Sequence, residues 1–275
     1  MLGAIIGDIV GSRFEWNNHK SKDFALFGGD GITDSGCTYT DDTVMTVAVA
    51  DTLLQFDRID NNNAEEFQRV LVERMHAYGQ KRLDCGFGGN FYSWIKNGDT
   101  EPYGSCGNGS AMRVSPVGWY AKTLTDAKRI AKLTAEVTHN HPEGIKGAQA
   151  VAAAVFLARR RHLPQSRILL HILTNYYPNY IPRPLDEVRP QYEFDETCQG
   201  SVPEAILAFV EAKSFEDALR NAVSIGGDSD TIADISGAIA EAFYGIPDTM
   251  REKALSFLDE ELRNVVLKFT AKYCK

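Results

Sequence analysis

Apolar residues recur along this chain at the three- and four-residue spacing of buried helix faces, and strictly alternating runs are scarce. The spacing predicts a helix over residues 2–15 and another that opens at Tyr39–Thr43 and runs through Leu54. Further helices are predicted over 64–82, 91–95, 125–137, 143–161, 165–175, 203–212, 214–223, 230–244 and 248–271. Gly245-Ile246-Pro247 reads as a helix stop. The fold class that follows is all-α. In the first helix Gly3, Gly7 and Gly11 share one face. Glycine costs about 1 kcal/mol against alanine inside a helix, so three in register predict close approach of another backbone. Residues 17–38 read as a polar, aperiodic loop, and the proline- and tyrosine-rich stretch 176–200 as a long excursion on the surface. No linker, composition break or short repeat interrupts the pattern, so residues 1–275 are expected to form a single domain.

Composition narrows the class. In 275 residues, 44% hydrophobic and 10% aromatic content suffice for a substantial core. No apolar run reaches the about 18 residues of a membrane span. The start, Met1-Leu2-Gly3-Ala4-Ile5-Ile6-Gly7-Asp8, lacks the basic region of a signal peptide. Five scattered cysteines without a CxxC pair fit a cytoplasmic protein and argue against disulfides or structural zinc. A net charge of −8 with no long basic run disfavours a nucleic-acid polymer as partner.

The candidate chemistry lies at two helix mouths. Gly226-Gly227-Asp228-Ser229-Asp230-Thr231 sets two carboxylates and a hydroxyl on a glycine turn before an apolar helix. Thr40-Asp41-Asp42-Thr43 repeats the arrangement near the other end of the chain. Capping is the ordinary reading of either segment alone, because acids are stabilised at a helix N-terminus by about 0.3–1 kcal/mol. Convergence of both would place four carboxylates in one pocket, a conflict that divalent cations remove. Donors that are all oxygen favour Mg²⁺, Mn²⁺ or Ca²⁺ over zinc, and the EF-hand spacing is absent. Asp8 and Glu15, on the first helix, project to nearly the same side. The run Tyr103–Arg113 combines glycines with small polar residues before an apolar segment, a backbone nest that can bind an anion or diphosphate. It matches neither the Rossmann fingerprint nor the P-loop.

Taken in order, these pieces resemble the ADP-ribosylglycohydrolase family. The matching segments are Gly3–Ser12 with Glu15, Tyr39–Thr43, Gly107–Arg113, Thr138-His139 and Gly226–Thr231. The resemblance implies a compact, single-domain orthogonal helical bundle with a central binuclear site for two divalent cations, Mg²⁺ or Mn²⁺. The implied metal ligands are Thr40, Asp41, Asp42, Asp228, Asp230 and Thr231. Gly107, Asn108, Gly109, Ser110, Met112 and His139 fall where members hold the diphosphate and ribose. Glu15 falls where some members carry a glutamate that reaches the metals or the substrate. Arginine-directed relatives use a further acid in the loop corresponding to Asp84–Asn90. The implied reaction is hydrolysis of the bond between C1 of the ADP-ribosyl ribose and an acceptor, with Glu15 or a cluster aspartate, Asp41 or Asp228, taking the proton. The expected partner is an ADP-ribose-containing substrate, including an ADP-ribosylated protein, met by a monomer. Two other readings use the same residues: a two-metal nucleotide-diphosphate phosphohydrolase and a non-catalytic ADP-ribose-binding protein.

Overall fold

A computed structural model describes residues 1–28, 36–160 and 163–274. The helices are α1 (Leu2–Gly11), α2 (Asp41–Leu54), α3 (Ala64–Gln80), α4 (Gly89–Asn97), α5 (Gly109–Met112), α6 (Ser115–Tyr120), α7 (Leu124–Glu136) and α8 (Pro142–Ala158). They continue with α9 (Gln165–Tyr176), α10 (Leu185–Val188), α11 (Cys198–Val210), α12 (Phe215–Ile225), α13 (Ser229–Tyr244), α14 (Asp248–Phe257) and α15 (Glu260–Tyr273). Among the described residues there is no strand, only an isolated bridge between Gly107 and Thr197. The all-α reading holds. No helix among them is long and apolar enough to cross a membrane.

Helices buried on all sides sit in the middle of the fold. Every residue of α1 is buried, as is α13 from Ser229 to Ala242. These two pack face to face, and the glycine row explains how. A Cβ at Gly7 would stand 2.0 Å from the Ala233 carbonyl oxygen, and one at Gly3 would stand 2.3 Å from that of Gly237. The predicted close backbone approach is thus found, and its partner is the helix of the Asp228 segment.

Several features differ from the sequence expectation. The first helix stops at Gly11 and tightens into a 3₁₀ turn over Ser12–Phe14. The expected helix over 248–271 divides at Leu258-Asp259, where the Asp259 carboxylate accepts from the Leu262 amide and starts α15. Helix α11 begins at Cys198, capped by Thr197, and carries Pro203 inside it instead of at its start. The stretch 176–200 is no simple surface excursion. Tyr176, Tyr177, Leu185 and Val188 are buried, and its end is tied to the glycine-rich loop by Asn108 N–H to Glu196 O (2.8 Å) and Cys198 N–H to Cys106 O (3.0 Å). Of the loop predicted over 17–38, residues 29–35 lie outside the described residues. Its first part clasps the Gly226-Gly227 turn: Lys20 Nζ donates to Ile225 O at 2.6 Å, and Asn18 Oδ1 accepts from Gly227 N–H at 3.1 Å.

Candidate active site

The mouth of α2 is built by a residue from α1. Asp8 is fully buried and accepts from the Thr40 hydroxyl (2.8 Å), the Thr40 amide (2.9 Å), the Thr43 amide (3.1 Å) and the Thr43 hydroxyl. Thr40 is the N-cap of α2, its oxygen accepting from the Asp42 amide. The Asp41 amide donates to Cys85 O at 2.8 Å, which pins the loop before α4 beside the same mouth.

The mouth of α13 follows Gly226 and Gly227, both at positive φ (78° and 67°), where a side chain would strain the backbone. Asp228 occupies the N-cap position without making a side-chain cap bond. Its carboxylate instead accepts from Asn108 Nδ2 at 2.6 Å. Capping therefore accounts for Thr40 and not for the Asp228 carboxylate. The two mouths meet: the Thr231 hydroxyl donates to Asp42 Oδ2 at 3.4 Å. On the other side, carboxylate oxygens of Glu15, Asp228 and Asp230 all lie within 4.8 Å of one another.

Every acid in the cluster is raised. Burial is the largest cause throughout. It lifts Asp8 from 3.8 to about 6 despite its hydrogen bonds, and lifts Glu15 from 4.5 to about 7 with help from the Asp228 and Asp8 charges. Asp41, Asp42 and Asp230 stand well above the usual carboxylate range, pushed by burial and then by neighbouring acids; burial also raises Asp228. One oxygen of Asp42 is buried without a hydrogen-bond partner. A buried set of mutually repelling oxygens, one of them unpaired, fits hard divalent cations, whose charge would offset both costs.

Above the acids opens a cavity of about 440 Å³. Glu15, Asp41, Asp42, Asp228, Asp230 and Thr231 line it, together with Gly107, Asn108, Gly109, Met112 and His139. Two expected residues face elsewhere. Thr40 is not in the wall and presents its hydroxyl to Asp8. Ser110 is fully buried behind the loop, its hydroxyl donating to Gly144 O at 2.7 Å. The loop is also less open than its sequence suggests: the amides of Gly107 and Asn108 are engaged by Ser105 Oγ and Glu196 O. Asp84 lines a neighbouring cleft that shares Glu15 with the main cavity.

Sequence reasoning missed several residues here. Trp16 and Phe194 stack at the cavity mouth with ring centroids 5.2 Å apart and planes at 16°. Both are exposed, and only tertiary structure brings them together. Arg113 lines the cavity while almost wholly buried, and no carboxylate reaches ion-pair distance of it among the described residues. Asp234, one turn beyond Asp230 and fully buried, has no partner for either oxygen; burial and the Asp8 charge raise its pKa strongly and favour the neutral acid.

The all-α fold recurs among solved structures. An "ADP-ribosylglycohydrolase-related protein complex" superposes with a TM-score of 0.69, covering 98% of this chain and 94% of that one at 24% identity. At that identity the match shows the fold. Sequence carries the assignment further: the ADP-ribosylglycohydrolase profile matches residues 1–274, and the chain belongs to that family. Its activity class follows as hydrolysis that frees ADP-ribose from an acceptor. Relatives include the chicken (Gallus gallus) protein "ADP-ribosylhydrolase ARH3", 26% identical over 100% of this chain and 92% of its own length. Another is "ADP-ribosylarginine hydrolase Tri1" of Pseudomonas putida (strain GB-1), 25% identical over 90% of this chain and 70% of its own.

Proposed function

We propose that the cavity binds the ADP-ribosyl group with its ribose over the acid cluster, and that two divalent cations, Mg²⁺ or Mn²⁺, complete the site. The observation that carries this reading is the convergence of Glu15, Asp228 and Asp230 within 4.8 Å beside the cavity. Thr40, Asp41 and Asp42 at one mouth and Asp228, Asp230 and Thr231 at the other would hold the cations. Thr40 keeps a lone pair for this, since among the described residues its hydroxyl donates to Asp8 and accepts only from the Asp42 amide. Bound there, the cations supply positive charge that orients ribose hydroxyls and makes a water more acidic.

The chain's own groups do the rest. Asp8 fixes the Thr40–Thr43 turn, and Asn108 fixes Asp228, so the donors are held before any ligand arrives. Gly107, Asn108, Gly109, Met112 and His139 form the wall for diphosphate and ribose, with Ser110 bracing the loop from behind. As the C1–acceptor bond breaks, C1 gains oxocarbenium character that nearby carboxylates stabilise. Water adds its hydroxyl to C1, and its proton passes to Glu15, with Asp41 or Asp228 the nearby alternatives. Glu15, lifted to about 7, sits in the range where a carboxyl can accept a proton and return it to the departing acceptor. The acceptor, a protein side chain or a small conjugate, leaves past the mouth at Trp16 and Phe194. A net charge of −8 makes a long polyanion the poorest acceptor.

The test offers ADP-ribosyl-arginine, ADP-ribosyl-serine, O-acetyl-ADP-ribose and ADP-ribosylated nucleic acid side by side, each with Mg²⁺ and with chelator. Intact ADP-ribose released from at least one, in the Mg²⁺ arm alone, is the expected result. AMP or phosphate in its place would indicate phosphohydrolysis, and binding without turnover would sink the catalytic reading.

A further inference from the structure

Arg113, Thr138 and His139 form a buried chain that ends in the cavity. Arg113 Nη2 donates to the Thr138 hydroxyl at 2.8 Å and to Thr134 O at 3.0 Å. The same hydroxyl lies 2.7 Å from Nδ1 of His139. A hydroxyl has one proton and two lone pairs, and a guanidinium can only donate. One lone pair of Thr138 is therefore taken by Arg113, and two arrangements remain for the contact with histidine. If Nδ1 carried the ring proton, the hydroxyl would accept twice and its own proton would need another acceptor. Thr138 is fully buried, and its hydroxyl has no third partner among the described residues. A buried donor left unmade carries the full desolvation cost of that group. The hydroxyl must donate, and Nδ1 must accept.

The other ring nitrogen faces the ligand space. A Cβ at Gly109 would lie 2.9 Å from Nε2, and one at Gly107 would lie 3.7 Å from it. Burial, reinforced by the Arg113 charge, pushes the imidazole well below its usual 6.5 and keeps the ring neutral. A neutral ring that accepts at Nδ1 carries its single proton at Nε2.

We propose that Thr138, oriented by Arg113, is a positioning residue that locks His139 in the Nε2–H tautomer, so that the ring offers a fixed donor to an oxygen of the bound ADP-ribosyl group. The opposite tautomer would turn a lone pair toward that oxygen and repel it. The ligand in this statement rests on the proposed function; the tautomer does not.

Long-range ¹H–¹⁵N correlation spectra of histidine-labelled protein test it, with His139 assigned through His139→Gln. In the wild type, Nδ1 should resonate as an unprotonated nitrogen and Nε2 as a protonated one. Thr138→Ser keeps the hydroxyl and should keep both signals. Thr138→Val should populate both tautomers and weaken ADP-ribose binding about tenfold. A protonated Nδ1 in the wild type overturns the proposal, and so does an unchanged tautomer in Thr138→Val. Should the valine variant fail to fold, the wild-type and serine spectra still decide. A wild-type ring with Nε2–H in a protein that binds no ADP-ribose would support the lock and count against the proposed ligand.

Discussion

Asp8 and Thr40 are joined twice: the threonine hydroxyl donates to Oδ1 at 2.8 Å, and its backbone amide donates to Oδ2 at 2.9 Å. Thr43 adds its amide and hydroxyl to the same carboxylate. Asp8→Ala would leave these donors buried and unpaired, at an expected cost of about 3 kcal/mol. Because Thr40 and Asp41 lose their anchor, cation affinity should fall about 10–100-fold although no proposed ligand is removed. Denaturant unfolding and calorimetric titration with Mn²⁺ measure the two effects, and wild-type Mn²⁺ affinity in Asp8→Ala would show that the anchor does not organise the site.

Removing a ligand should act differently from removing its anchor. Asp228→Ala deletes a carboxylate at the N-cap position that makes no cap bond, so helical content should persist while turnover drops about 100-fold or more. Asp230→Asn keeps the shape and removes the charge, and should weaken cation binding with the fold intact. Excess Mg²⁺ should raise the wild-type melting temperature by mass action and leave that of Asp228→Ala nearly unmoved. Equal shifts in both proteins would place the cations elsewhere.

The parts of this molecule legible in its sequence are those written in local periodicity. Gly3, Gly7 and Gly11 announced a backbone contact because their spacing alone fixes one face of a helix. The acids of both mouths announced themselves as repeated pairs. Phe194 and Glu196 did not, because what makes them cavity wall is a bridge between Gly107 and Thr197 that no local pattern encodes. The break at Asp259 was hidden in a continuous helical pattern; it depends on a cap and on Arg82, whose Nη2 donates to that carboxylate at 2.7 Å. Ser110 reads as a loop hydroxyl and turns inward because Gly144 O waits behind it.

Glu15 can be separated from the ligands by kinetics. Its carboxylate lies in the same group as Asp228 and Asp230, yet it comes from the turn after α1 and is only partly buried. Glu15→Gln keeps size and hydrogen bonding but cannot take a proton. Turnover should fall about 10²–10⁴-fold, with cation affinity reduced less than about tenfold. Parallel loss of both would make Glu15 a ligand first, and no loss of kcat would remove it from the chemistry.

In the absence of cations, stability should fall as pH rises from about 4 to about 7. Asp8 is raised from 3.8 to about 6 and Glu15 from 4.5 to about 7, so across this window the folded chain binds more protons than the unfolded one. Their contribution is complete below the unfolded values and disappears as pH climbs through the folded ones. The raised Asp41, Asp42 and Asp230 act in the same direction. Mg²⁺ should flatten this slope by replacing the protons. Melting temperatures in chelator and in Mg²⁺, taken between about pH 5 and 8, check both statements.

The seating of Gly7 against Ala233 also sets a timetable for biosynthesis. At about 5–20 residues per second, roughly ten to forty seconds pass between the emergence of Asp41 from a ribosome and that of Asp228. During that interval the first helix, buried on every side in the folded chain, has no counterpart to cover it. A nascent chain therefore presents an uncovered, largely apolar helix and an acid pair that cannot yet capture an ion. Chaperone occupancy should peak early and end only when α13 emerges.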